Sequence, residues 1–408
     1  MNIAFCLEST FNSGGMERML SVIANAIGYS ETVTVITAFN EGRTDYFGFN
    51  DCVRRIDLGI RREAYGKRGL KRQYRHLLER CLIDNPQDVT ISLGSLEYIF
   101  LPTLKDGSKK VLWFHFALNY DMMTCHVSRF RAVNRLVGTL KTYRRLWLAR
   151  KYDHVVCLSK EDLKRWRRHM SNVSQIYNPN TITKSNEPDY IAKRVIAVGR
   201  LDPQKGFDVL ISAWKRVAEL YSDWTLDIYG EGDSRQSLQR QIDELSLGDR
   251  VFLRGRSNDM SEEFARHSIM VLSSRYEGFG LVLCEASVCA VPQVSFSCES
   301  GPSEIISDRE SGILVSPVGD EKKMADALTE LMASESLRRK MGLCAERLSH
   351  RFALPTIVGQ WRSMLGDIAA GGGDKKTLGK AWVSWAFIRE LSWNNLEIIL
   401  WITRKRLF

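Results

Sequence analysis

The chain has 408 residues, 44% hydrophobic and 26% charged, with nine prolines; this calls for more than one core and excludes the disordered and fibrous classes. Nine cysteines lie scattered with no C-x-x-C pair, which excludes a disulfide framework or zinc ribbon and points to a reducing compartment. The net charge of +10 is gathered in places: segment 61–80 holds eight Lys/Arg against Glu63 and Glu79, and segment 129–151 holds eight with no acid.

From the N-terminus, β-branched apolar runs at Ile3–Leu7, Thr32–Thr37, Val89–Leu93, Lys110–Phe114 and His154–Leu158 alternate with helix-like stretches such as Met16–Ile27 and Leu70–Ile83. No basic leader precedes the first run, which therefore reads as a strand and not a signal peptide. After a polar linker near Thr183–Pro188 the rhythm restarts. Strands are predicted at Val195–Val198, Thr225–Tyr229, Arg250–Leu253, Ile269–Leu272, Pro292–Ser295 and Gly312–Val315, and helices at Phe207–Leu220, Arg235–Leu245, Leu281–Val288 and Asp320–Ala333. Such alternation predicts an α/β chain of two doubly wound halves, residues 1–182 and 190–350, whose parallel sheets are covered on both faces. Ligands of such sheets bind beyond the carboxyl ends of the strands. A Gly371-Gly372-Gly373-Asp374 linker leads into a Trp-rich basic tail over 375–408. No stretch reaches the ~18–20 apolar residues that span a bilayer.

Three motifs fall where ligands are expected. Ser13-Gly14-Gly15-Met16-Glu17-Arg18 follows the first strand and opens a helix, whose N-terminus attracts phosphate. Taken alone it is equally a tight turn, and it lacks the G-x-G-x-x-G spacing of a dinucleotide site. Val198-Gly199-Arg200-Leu201-Asp202-Pro203-Gln204-Lys205-Gly206-Phe207 sets two cations, Arg200 and Lys205, on one strand-to-helix loop, where they can neutralise a diphosphate. Glu277-Gly278-Phe279-Gly280-Leu281-Val282-Leu283-Cys284-Glu285 places one carboxylate in a loop and a second within the next helix. The amides of Phe279, Gly280 and Leu281 open that helix and suit a phosphate or sugar hydroxyl. The plain reading of the same residues is a helix-dipole contact for Glu277 and a surface position for Glu285.

The ordered set G-G-x-E-R, G-R-L-x-x-x-K-G and E-G-F-G-L-x-x-x-E resembles glycosyltransferase family four, over residues 1 to about 370. The resemblance implies the GT-B fold, two facing Rossmann-like domains with an interdomain cleft. It implies an acceptor-binding domain at 1–182, a nucleotide-sugar donor domain at 190–350, and a crossover helix at 351–370 returning to the first domain. By the same resemblance Glu285 binds the donor ribose, Glu277 sits beside the transferred sugar, and Arg200 and Lys205 stabilise the leaving diphosphate. The Gly15 and Gly199 backbone and the Phe279–Leu281 amides assist them. His115, in Trp113-Phe114-His115 at a strand's carboxyl end, is placed at the sugar and acceptor face; a hydrogen-bonded core histidine is the alternative.

The expected activity is retaining transfer of a sugar from a nucleotide-diphosphate donor to a saccharide or lipid-linked saccharide acceptor, as in O-antigen, capsule or lipopolysaccharide synthesis. A UDP-sugar is the expected donor, with GDP-mannose open. Retention by a carboxylate nucleophile and by same-face attack both remain open. No D-x-D occurs in the chain, so no metal and no cofactor is expected, the two cations standing in for the metal. The alternatives are an epimerase or phosphorylase of the same fold, or a non-catalytic nucleotide-sugar-binding protein. No nucleic-acid module is recognisable. The expected location is cytoplasmic or peripheral on the cytoplasmic face of the inner membrane, with the tail and both basic segments against anionic lipid. A tail docked on the fold is the competing expectation.

Overall fold

The computed structural model describes residues 1–125 and 130–371, which divide into two compact units at Ile176/Tyr177 and again at Ile357/Val358. The expected tail over 375–408 and Arg129 of the basic segment lie outside the described residues.

The first unit begins β1 (Asn2–Leu7), α1 (Gly15–Gly28), β2 (Thr32–Thr37), β3 (Val53–Asp57), α2 (Lys67–Asp84), β4 (Val89–Ser92) and β5 (Lys109–Trp113). It continues with α3 (Tyr120–Thr124), α4 (Arg131–Ala149), β6 (His154–Cys157), α5 (Lys160–Arg167) and β7 (Val173–Gln175). The strands form a seven-stranded sheet in the order β3-β2-β1-β4-β5-β6-β7, and every pairing is parallel. β1 pairs with β2 on one side and β4 on the other, so the chain changes winding direction there. Ile3 to Leu7 are all buried, as a central strand covered on both faces requires.

In the second unit β8 (Arg194–Val198), α6 (Phe207–Leu220), β9 (Thr225–Tyr229), α7 (Arg235–Glu244), β10 (Val251–Gly255) and α8 (Met260–Ala265) come first. They are followed by β11 (Ile269–Leu272), α9 (Leu281–Val288), β12 (Gln293–Phe296), α10 (Pro302–Ile305), β13 (Gly312–Val315), α11 (Glu321–Met332) and α12 (Glu335–Ser349). Its six parallel strands run β10-β9-β8-β11-β12-β13, with the change of direction between β8 and β11. The loops after β8 and β11 therefore leave the sheet side by side at its switch point. One face of the sheet packs Trp214, Ile211 and Leu328 into the core. Within β9 the buried Asp227 accepts hydrogen bonds from His267 Nε2 at 2.9 Å, Arg194 Nη2 at 2.8 Å and Arg254 Nε at 2.5 Å. Burial alone raises a carboxyl; these donors outweigh it and hold Asp227 well below the usual range.

α13 (Leu354–Ala369) ends the described chain, and from Val358 onward it belongs with the first unit. Trp361 is fully buried there, packed edge-on against Trp113 with ring centroids 4.8 Å apart. At the other crossing the division falls ahead of residue 182, because Tyr177 and Thr181 already bond to residues of the second unit.

Candidate functional site

The loops after β8 and β11 are stitched together residue by residue. Asp202 caps the short turn Pro203–Lys205, its carboxylate accepting the Lys205 amide at 3.3 Å. Across the gap, Arg275 N donates to Gln204 O at 2.8 Å, Gln204 Nε2 to Tyr276 O at 3.0 Å, and Ser273 Oγ to Lys205 O at 2.8 Å. The Arg275 guanidinium forks onto Asp208 at 2.9 and 2.6 Å and also reaches Pro203 O. Gly206 makes the approach possible: its φ is +63°, and a Cβ there would lie 2.2 Å from Ser273 O.

This framework brings Lys205 and Glu277 together. The Lys205 stem lies flat across Gly199, where an added Cβ would meet Cδ and Cε at 3.0 Å. Lys205 Nζ then donates to Glu277 Oε1 at 2.7 Å, and Ser274 Oγ donates to the same oxygen at 2.6 Å. Glu277 is buried, 7% exposed, so its charge is balanced by the ammonium and one hydroxyl. Arg200 goes elsewhere: its side chain is 72% exposed and pairs with Asp202 at 3.2 Å. The two cations expected to act together thus start from different places.

Four residues past the start of α9, Glu285 is buried and not at the surface, and Thr181 Oγ1 donates to its Oε1 at 3.0 Å. Gly280, at φ +91°, is the N-cap of α9 and carries no side chain over the helix start, leaving the first-turn amides of Leu281 and Val282 without an intrahelical partner. Phe279 turns inward, its ring 5.6 Å from those of both Tyr177 and Phe352. Tyr177 in turn donates to Glu304 Oε2 at 2.7 Å. Ser274, Thr181 and the Arg275–Asp208 pair carry no sequence signal of their own; only tertiary contact reveals them.

In the first unit, His115 follows β5 with its ring 4.4 Å from that of Trp113. Its Nε2 is buried without a hydrogen-bond partner among the described residues, and burial pushes the imidazole down to about 3. His115 is therefore neutral at physiological pH. The loop that follows is braced by Asp162, which accepts the Leu118 amide at 2.8 Å, and by Arg145 Nη1 on Leu118 O at 2.9 Å. Gly15 is the first residue of α1, and the Glu17 carboxylate curls over Gly14, where a Cβ would lie 2.3 Å from Oε2. A negative group thus already stands at the helix start expected to receive phosphate.

Residues 180–347 match the family described as Glycosyl transferases group 1. An uncharacterized glycosyltransferase of Haemophilus influenzae is 25% identical over 374 residues, covering 89% of this chain and 99% of that one. The Campylobacter jejuni GalNAc-alpha-(1->4)-GalNAc-alpha-(1->3)-diNAcBac-PP-undecaprenol alpha-1,4-N-acetyl-D-galactosaminyltransferase is 25% identical over 373 residues, 90% of this chain and 99% of that one. Among solved structures, Anabaena HepE in complex with UDP and glucose superimposes with a TM-score of 0.70 at 19% identity, covering 89% of this chain and 99% of that one. With the two Rossmann-like units already described, these likenesses show a glycosyltransferase of the GT-B fold, of the hexosyltransferase class, whose residues 180–347 carry the group 1 pattern.

Proposed function

We propose that this chain transfers a sugar from a UDP-sugar, with retention and without a metal, to a lipid-linked or core saccharide acceptor of a cell-surface polysaccharide. The observation that carries the reading is the buried Lys205–Glu277 pair at the switch point of the second sheet, with Glu285 buried one helix turn inside α9. Glu285 binds the ribose hydroxyls. The α9 amides and Lys205 receive the diphosphate, with Arg200 swinging in from solvent. As the C1–O bond breaks, its electron pair passes to the phosphate, and preorganised positive charge there lowers the barrier. The acceptor hydroxyl attacks C1 on the face the phosphate leaves and gives up its proton to the departing oxygen. HepE was solved with UDP, and the Campylobacter relative is named for an undecaprenol-linked substrate; both support this choice of donor and acceptor.

Titration calorimetry with UDP and a panel of UDP- and GDP-sugars tests the donor. Micromolar UDP binding is expected to persist in EDTA and to weaken roughly tenfold in Glu285→Ala, the size of one lost hydrogen-bonded charge contact. Preference for GDP, or loss of transfer in EDTA with rescue by Mn²⁺ in single-turnover assays, contradicts the reading.

A membrane-surface location belongs to the same proposal, favoured by the face of α4. Leu140 and Trp147 are 44% and 58% exposed and stand among Arg144, Lys141 and Lys151, the mixture that suits an anionic lipid interface. No helix among the described residues is long and apolar enough to cross a membrane. Co-sedimentation with phosphatidylglycerol vesicles is expected to fall with salt and to drop in a Leu140→Ser, Trp147→Ser variant. Equal binding to neutral vesicles, or none to either, removes this location.

A further inference from the structure

Both donors to Glu277 sit on a single carboxylate oxygen. Lys205 Nζ at 2.7 Å and Ser274 Oγ at 2.6 Å reach Oε1, and no described residue donates to Oε2. The two donors differ in kind. An ammonium is a compact point charge that serves either oxygen of a carboxylate, and the last torsion of glutamate is broad and two-fold, so Lys205 alone leaves the group free to rotate. A hydroxyl is directional. Ser274 is fully buried, on the same loop as Glu277, and its contact has the length of an O–H···O⁻ bond to an ionised acceptor.

We infer that Ser274 is a positioning residue for transfer: it locks Glu277 with Oε1 toward Lys205 and so presents Oε2 alone to a hydroxyl of the transferred sugar. The inference rests on the reading of Glu277 as the carboxylate at that sugar. It divides the site in function as well as in space. UDP is held by Glu285, Lys205 and the α9 amides, none of which needs Ser274. The sugar ring is held in its reactive orientation by an oxygen whose direction Ser274 sets. Losing Ser274 therefore harms the chemical step and sugar discrimination and spares the nucleotide.

The test compares Ser274→Ala, Ser274→Thr and Ser274→Cys with the full-length enzyme, measuring UDP affinity, melting temperature and kcat for the preferred UDP-sugar. Ser274→Ala is expected to lower kcat by about ten- to a hundredfold, the range for a hydrogen bond to a charged group, with UDP affinity unchanged. Ser274→Thr, which keeps the hydroxyl, restores most of it. Should the alanine variant not fold, the cysteine variant fills the same space with a weaker donor and is expected to show the same split. Wild-type kcat in the alanine or cysteine variant overturns the inference. So does a parallel loss of kcat, UDP affinity and melting temperature that threonine fails to rescue, since that marks a merely structural serine. Glu277→Gln separates the two levels: if it too turns over at the wild-type rate, the reading of Glu277 fails, whereas its loss beside an unaffected Ser274→Ala sinks only the role of Ser274.

Discussion

Lys205→Ala is expected to lower kcat/KM for the UDP-sugar by about 10²–10³, or ~3–4 kcal/mol of transition-state stabilisation. The ammonium is mostly shielded from water, with 14% of the side chain exposed, so its field on the departing diphosphate is weakly screened. It is also held in advance by Gly199 beneath its stem and Glu277 at its tip, and needs no reorganisation as charge develops. Arg200 does not replace it, because that side chain begins in solvent against Asp202. Lys205→Arg is expected to recover little, since a planar fork does not follow the path of the stem across Gly199. Removing the lysine also leaves Glu277 with Ser274 as its one remaining donor, so melting temperature must be measured alongside rate. Wild-type kcat/KM in a folded Lys205→Ala protein removes this residue from the mechanism.

The second large effect is on stability, in the first unit. Glu97 lies just beyond β4, fully buried. Ser92 Oγ at 2.8 Å and the Ser95 amide at 3.1 Å both donate to Oε1, while Oε2 is buried with no partner among the described residues. Burial, reinforced by the Glu8 carboxylate, pushes the Glu97 carboxyl up to about 7 from 4.5. The folded value lies above the unfolded one, so from about pH 4.5 to 7 the unfolded chain sheds a proton that the folded chain keeps. Stability therefore falls as pH rises through that window, and above pH 7 the penalty stays constant at about 3 kcal/mol. Glu97→Gln abolishes this slope. In urea titrations the stability of the variant relative to wild type is expected to grow by about 3 kcal/mol between pH 4 and pH 8. A difference that does not change with pH shows that Glu97 ionises without penalty and that its surroundings are wetter than the packing indicates.

The strands that read most cleanly from sequence are those buried on both faces. Thr32–Thr37, Thr225–Tyr229, Ile269–Leu272 and Gly312–Val315 have the expected bounds because enclosed parallel strands are rich in β-branched and apolar residues, broken here only by threonines and the buried Asp227. β3 and β7 gave no such signal. They are the two edges of the first sheet, and Val53-Arg54-Arg55-Ile56-Asp57 spends three of five positions on charge. α12 was equally hidden, since Glu335–Ser349 carries six charged side chains on a helix half-turned to solvent. In the site, the motifs placed Lys205, Glu277 and Glu285 on the correct loops and helix. They did not show that Lys205 and Glu277, 72 residues apart, form an ion pair, because pairing is decided by how two loops lie at a switch point. Arg200 illustrates the converse. Adjacent in sequence to the rest of the motif, it was expected to share the task of Lys205, yet the local capping residue Asp202 draws it outward. The neutral state of His115 was likewise unreadable, being a consequence of burial against Trp113.

The measurement that bears most directly on the central claim is the anomeric configuration of the product. The enzyme is incubated in EDTA with the UDP-sugar that binds best and an undecaprenyl-diphosphate-linked saccharide acceptor, and the new linkage is read from its one-bond C1–H1 coupling by NMR. The account predicts an α-linked product from the α-linked donor, with one UDP released per transfer, and loss of both in Lys205→Ala. A β-linked product, or release of free sugar with no transfer to any saccharide acceptor, contradicts it.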